Sequence, residues 1–95
     1  MGEEQIVLKM YFAGINEKAE AHVGNLQELC EKKFPGKYTI EVIDLVERPE
    51  LAIDEQIFAA PTIVKKLPKP VRKVIGDLAD TEGILVGLDI LSGRE

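Results

Sequence analysis

The chain has 95 residues, a hydrophobic share of 45%, a charged share of 31% and a formal net charge of −5 at pH 7. These values predict one globular domain over residues 1–95, with flexible ends at 1–5 and 92–95. The negative charge argues against a broad nucleic-acid-binding surface, and no apolar run is long enough to span a membrane.

The first half of the chain predicts a βαβ unit. Residues 6–12 are almost continuously apolar, as in a central strand that is covered on both faces. Asn16 is a good N-cap for a helix over Glu17–Lys33, which carries an apolar stripe at helical spacing. Residues 37–45 largely alternate in polarity, which favours a strand with one exposed face, possibly a sheet edge. The two strands are expected to be parallel, with a right-handed crossover.

The second half predicts shorter elements. Pro49 fits the first position of a short helical turn that ends near Ala52. Residues 62–66 form a β-branched strand pattern directly after Pro61, and a proline there suits the first position of a strand. Residues 71–75 predict a strand that pairs back onto 62–66 as a hairpin. Asp80 and Thr81 can cap a last helix over 82–91.

Residues 83–91 fit two patterns. Alternate positions are apolar, as in a strand: Ile84, Val86, Leu88 and Ile90. A subset also recurs at helical spacing: Ile84, Leu88 and Leu91. One interpretation is a buried helix in which Gly87 permits close packing. The other is a segment balanced between two packings that differ by a few kcal/mol.

The predicted order β-α-β-α-β-β-α is that of the thioredoxin fold, so the predicted class is α/β and thioredoxin-like. The step Ala60-Pro61-Thr62 before a buried strand also resembles the thioredoxin superfamily. In that superfamily the corresponding proline is cis and borders the functional face.

From Ile6 to Leu91 the chain resembles the KaiB family of circadian clock proteins, which has members in cyanobacteria and homologues in other bacteria and archaea. The longest matching run is LPKPVRKVIGDL at 67–78. Shorter runs match at 8–14, 42–45, 48–52, 60–62 and 87–91.

The resemblance implies a non-enzymatic adaptor without a cofactor. Such proteins bind a KaiC-type ATPase ring and regulate its phosphorylation cycle, in a clock or a stress response. They are metamorphic: a ground-state fold, usually a tetramer, exchanges with a thioredoxin-like monomer that binds the ring. The half after the βαβ unit changes its structure, and Pro61, Gly87 and Asp89 match positions that take part in this switch. Self-association as a dimer or tetramer is therefore expected.

The chain departs from the family pattern at four positions. Ile6 replaces a tyrosine, and Ala21, Glu41 and Gln56 replace basic residues. Some of these basic positions serve partner contacts in cyanobacterial members, so binding of a KaiA-like partner is doubtful. A clock-associated histidine kinase is another candidate partner.

Basic residues are concentrated between positions 65 and 73. The cluster consists of Lys65, Lys66, Lys69, Arg72 and Lys73. On charge pattern alone it is either a solvated hairpin or a docking patch for an acidic partner. The resemblance favours docking, and the expected partner-binding residues are Lys9, Lys65, Lys66, Arg72 and Lys73.

Thiol redox chemistry is an alternative function for a thioredoxin-like chain. It needs a cysteine at the turn after the first strand, where a helix N-terminus stabilises the thiolate. That turn contains Gly14, Ile15 and Asn16 instead. The single cysteine, Cys30, lies on the apolar stripe, which predicts a buried structural thiol and agrees with a reducing compartment.

No catalytic, cofactor or metal site is predicted. His22 lies off the main stripe, which predicts a surface or boundary residue, and it has no second His or Cys with which to share a metal. The acidic N-terminal residues 1–5 lack an apolar signal core, which favours the cytoplasm. A third alternative is a thioredoxin-like interaction domain that never switches fold, similar to the sensor domain of clock-associated histidine kinases.

Overall fold

The computed structural model describes residues 5–76, 80–88 and 90. Its elements are, in chain order, β1 (Ile6–Phe12), α1 (Glu17–Lys33), β2 (Tyr38–Asp44), α2 (Glu50–Asp54), β3 (Thr62–Leu67), β4 (Arg72–Ile75) and α3 (Thr81–Gly87). This order is the predicted one. The bounds of α1 agree with the prediction, whereas α3 is shorter than the predicted 82–91.

The strands form one four-stranded sheet in the order β2-β1-β3-β4. Strand β1 pairs in parallel with β2 and antiparallel with β3, and β3 pairs antiparallel with β4. The continuously apolar β1 is therefore central and the alternating β2 is at an edge, as the sequence predicted. The hairpin of β3 and β4 is also confirmed.

The two faces of the sheet have separate apolar cores. On one face Leu8 and Met10 of β1 are fully buried beneath α1 and α3, where Leu26 and Leu85 cover them. On the other face a smaller cluster contains Tyr11, Ile43, Ile57 and Val64, with Leu45 and Leu51 at its margin. Because β1 contributes to both clusters, its side chains are apolar at almost every position.

Helix α1 begins as predicted. The Asn16 side chain accepts a hydrogen bond of 2.9 Å from the Ala19 N–H, which satisfies one free donor of the first turn. Acidic side chains lie in the first turn and Lys32 and Lys33 in the last, so both ends complement the helix dipole. The backbone N–H of Phe34 donates to the Cys30 carbonyl and ends the helix.

The ambiguous C-terminal segment is helical in this conformation. Asp80 caps α3, because its side chain accepts a hydrogen bond of 2.9 Å from the Gly83 N–H. Ile84, Leu85 and Leu88 are buried in the core beneath the helix. Of the two patterns in 83–91, this conformation uses the helical one. Positions 89 and 91 lie outside the described residues.

Three X-Pro peptide bonds are cis: Ala60-Pro61, Leu67-Pro68 and Lys69-Pro70. The first stands directly before β3, where the resemblance implied a cis proline. The Thr62 hydroxyl donates a hydrogen bond of 2.6 Å to the Ala59 carbonyl, which spans this bond. The other two lie in the connection between β3 and β4.

Two helical glycines should respond oppositely to alanine. A Cβ at Gly83 would lie 2.5 Å from Oδ2 of Asp80, so Gly83→Ala displaces the cap of α3 and should destabilise the protein by about 1 kcal/mol. A Cβ at Gly24 in α1 meets nothing within 4 Å. Gly24→Ala should therefore stabilise it by about 0.5–1 kcal/mol, since alanine is the better helix former. Urea unfolding measures both free energies, and a shift of the same sign would contradict this account.

Candidate functional site

The five predicted partner-binding residues differ in their burial and in the bonds that they make. Lys65 is only 2% exposed and lies in register between Leu8 of β1 and Arg72 of β4. Residues 63 and 65 share a face of β3, and Ile63 is part of the core beneath α1 and α3. Lys65 therefore cannot contribute to a docking surface in this conformation.

Lys66 and Lys73 bond to the end of α2. The Nζ of Lys66 lies 2.9 Å from Oε1 of Glu55. The Nζ of Lys73 donates to the backbone carbonyls of Gln56, at 2.9 Å, and Glu55, at 3.3 Å. Helix α2 has no basic residue in its own last turn, so these lysines of β3 and β4 supply the cations that the helix end favours. We call Glu55, Gln56, Lys66 and Lys73 the α2 clamp.

The remaining two predicted residues differ in exposure. Lys9 is partly buried, and its Nζ lies 3.8 Å from Oε1 of Glu41 on the neighbouring strand. Arg72 is exposed, and it has no ion pair within the described residues. Of the five, Arg72 is the side chain whose charge is both exposed and without an ion pair among the described residues.

Tyr11 lies beside the α2 clamp. Its hydroxyl is buried and makes no hydrogen bond of good geometry to any described residue. Burial, and then the negative charges of Glu55 and Glu41, raise the pKa of Tyr11 to about 12. Tyr11 therefore stays neutral at physiological pH and acts as a core residue.

The structure does not support thiol redox chemistry. Cys30 is 1% exposed within α1, and burial raises its pKa to about 11. The reactive form of cysteine is the thiolate, which this environment disfavours. The prediction of a buried structural thiol is confirmed.

A cavity of about 450 Å³ lies between the start of α1 and the loop that precedes β3. Lys18 and His22, one turn apart on α1, line it together with Gly14, Pro61 and Gly76. His22 is half-buried, so the prediction of a boundary residue is confirmed. Its Nδ1 is buried and has no hydrogen-bond partner in the described part of the chain.

Large apolar side chains are exposed near this cavity. Phe58 is 88% exposed, and Ile15 and Ile75 are each adjacent in sequence to a lining residue and are also exposed. Phe58 is exposed although it lies in the largely apolar stretch 57–64.

The predicted fold-switch positions lie in different places. Pro61 is half-buried and lines the cavity. Gly87 is the last residue of α3, and a Cβ there would lie 3.0 Å from a methyl group of Val74 in β4. Asp89 lies outside the described residues.

Within residues 5–76, 80–88 and 90, no three His, Cys, Asp or Glu side chains come together in a group that could hold a metal ion. The helices described there are too short or too polar to cross a membrane.

The sheet order, the βαβ unit and the cis proline before β3 define a thioredoxin-like α/β domain. Mitochondrial thioredoxin 3 of Saccharomyces cerevisiae superposes with a TM-score of 0.68 and 20% identity, over 94% of this chain and 81% of that one. The N-terminal domain of SasA from Synechococcus elongatus gives 0.66 and 16%, over 97% and 90%. The predicted fold class is therefore confirmed.

The sequence comparisons identify the family. The KaiB domain model matches residues 9–90. The circadian clock oscillator protein KaiB of Trichodesmium erythraeum is 47% identical over 85 residues, which cover 90% of this chain and 82% of that protein. The circadian clock protein KaiB3 of Synechocystis is 36% identical over 91 residues, or 96% and 89% of the two chains. This chain belongs to the KaiB family, as the resemblance indicated.

The α2 clamp should make the free energy of unfolding depend on pH in the acidic range. The hydrogen bond from Lys66 is the main cause that lowers the pKa of Glu55 below its ordinary value of 4.5. A lowered pKa in the fold means that the stabilisation is complete above 4.5 and is lost as the pH falls through the folded-state value. Glu55→Gln should therefore cost about 0.5–1 kcal/mol at neutral pH and little in acid.

The matched control is Glu41→Gln, which removes a carboxylate from the same sheet face but only from the looser contact with Lys9. Urea unfolding at a series of pH values measures both variants. A difference between wild type and Glu55→Gln that does not shrink in acid would show that the Glu55 charge is not the stabilising group.

Proposed function

We propose that this protein is a non-enzymatic, cytoplasmic adaptor that binds a KaiC-type ATPase and regulates its phosphorylation cycle, in a clock or a stress response. One observation carries the proposal: a chain of the KaiB family has the thioredoxin-like fold. The family resemblance implies that this fold is the form that binds the ring.

The coupling between fold and binding follows from simple linkage. If only a fraction of the free protein has the thioredoxin-like form, the apparent affinity for the ring equals the intrinsic affinity multiplied by that fraction. The ring then draws the population towards the bound form. The other form would be the self-associated one, a dimer or tetramer, so binding should also depend on protein concentration.

The docking charge is proposed to come mainly from β4. Arg72 is exposed beside the hairpin connection, where Lys69 is exposed as well. Lys66 and Lys73 already bond within the α2 clamp, so they would contribute to the local field more than to direct contacts. An acidic partner surface would be oriented by these charges.

Capture by an immobilised KaiC-type ATPase with ATP should test the proposal. Arg72→Glu should weaken capture of the protein by roughly tenfold, because reversing an interface charge introduces like-charge repulsion. Arg48→Glu is the matched control, since Arg48 is also exposed but lies near α2 and approaches Glu50 at 3.9 Å.

The proposal fails if wild type is not captured after long incubation. If wild type is captured but Arg72→Glu binds equally well, the docking charge is not on β4, whereas the adaptor function stands.

Gly87→Ala should favour the helical form of the C-terminal segment. Alanine removes a helix penalty of up to about 1 kcal/mol, but the new methyl group would crowd Val74 at 3.0 Å. Val74 lies on a four-residue edge strand that can shift slightly, so the net effect should be a smaller gain than for Gly24→Ala. From the sequence, Asp89→Arg should act in the same direction through the helix dipole.

NMR secondary chemical shifts of residues 84–88 report this population. An increase in helical shifts is expected in Gly87→Ala and a larger one in the double variant. Unchanged shifts in the double variant would contradict a segment with two accessible structures.

A further inference from the structure

We propose that Lys65 is a built-in bias against the thioredoxin-like form: its buried, unpaired charge destabilises this form and keeps it close in free energy to the alternative form. The destabilisation follows from the surroundings of Lys65 in this conformation. Its consequence for the switch rests on the proposed function, in which the free protein exchanges between two folds.

Lys65 is the only charged side chain among the buried residues that the structure describes, and it is 2% exposed. Thr62 of the same strand is also buried, but its hydroxyl donates a hydrogen bond of 2.6 Å to the Ala59 carbonyl. The side chain of Lys65 makes neither an ion pair nor a hydrogen bond with any described residue. An ammonium group that leaves water without compensating contacts raises the free energy of the form that buries it.

The neighbours of Lys65 on the sheet add to this destabilisation. The strand register places it directly between Leu8 of β1, which is fully buried, and Arg72 of β4. Directly opposed residues of antiparallel strands have their side chains on the same face, and like charges at such positions repel each other. Lys65 therefore has an apolar neighbour on one side and a second cation on the other.

The nearest acidic side chains of the sheet and of the α2 clamp have other environments. Glu41 is in register with Lys9, so it lies on the opposite face of the sheet from Lys65. Asp44 accepts hydrogen bonds from two backbone N–H groups, and Glu55 forms its ion pair within the α2 clamp. None of these carboxylates compensates the charge of Lys65.

Lys65 belongs to the half of the chain that is proposed to change structure. An alternative form that exposes this side chain to water avoids the destabilisation, so Lys65 shifts the equilibrium away from the form that binds the ring. The free protein is thereby held mainly in the form that does not bind. Capture is then limited by the fraction of the thioredoxin-like form.

Lys65→Met tests the bias, because methionine keeps a long unbranched side chain and removes the charge. In the proton–nitrogen NMR spectrum, the intensity ratio of thioredoxin-like to alternative peaks should increase roughly tenfold. Lys65→Leu should change the ratio in the same direction and shows that the effect does not depend on how methionine packs. The apparent affinity for the ring should increase in both variants, since the competent fraction is larger.

Two matched variants remove a lysine charge elsewhere. Lys66→Met breaks the ion pair with Glu55 and should lower the ratio, although the residue is adjacent to Lys65. Lys18→Met removes an exposed charge of α1 that has no ion pair in the described part of the chain. It should leave the ratio unchanged, as is usual for surface substitutions.

An unchanged or lower ratio in both Lys65 variants would overturn the bias, and so would an equal increase in Lys18→Met. If wild type shows alternative peaks alone, the apparent affinity for the ring replaces the ratio, and no increase in Lys65→Met overturns the bias. If wild type shows thioredoxin-like peaks alone, no alternative form exists to be favoured, and both the bias and the proposed switch are wrong. Ring capture by wild type is a separate measurement, so each of these failures leaves the adaptor function intact.

Discussion

The antiparallel pairing of β3 with β1 is the contact on which the rest of this conformation depends. The βαβ unit forms from residues close in sequence, but the second half acquires its position only when Met10 lies opposite Ile63. That register places Pro61 beside the turn after β1 and completes the cavity. It also brings Lys66 and Lys73 to the end of α2, and leaves β4 at the edge with Arg72 exposed.

The pairing of β3 with β1 places the basic residues of the hairpin in different environments. One lysine of β3 is buried under the helices, the next pairs with Glu55, and Lys73 of β4 bonds to two carbonyl oxygens. These contacts belong to the second half of the chain, which the family resemblance describes as the half that changes structure. If that half changes structure as proposed, these contacts stabilise the thioredoxin-like form selectively.

Much of the fold could be predicted because local signals agreed with it. Asn16 predicted the start of α1, and the different apolar patterns of 6–12 and 37–45 predicted a central and an edge strand. The burial of Lys65 could not be predicted, since β3 is covered on both faces and its alternation carries little information. The partner of Lys66 could not be predicted either, because Glu55 lies 11 positions earlier in the chain, on the other side of a loop whose course no local pattern fixes. The cavity depends on the loop before β3, and no local pattern of that loop predicts the cavity or the exposure of Phe58.

We propose that the form with β3 paired to β1 is the one that binds a KaiC-type ring. The most direct test is the cross-strand nuclear Overhauser effect between Met10 and Ile63, measured on the free protein and on the protein bound to the ATPase. The effect should be present in the complex, whatever its intensity in the free protein. A complex in which this contact is absent would show that another fold binds, and would contradict the account.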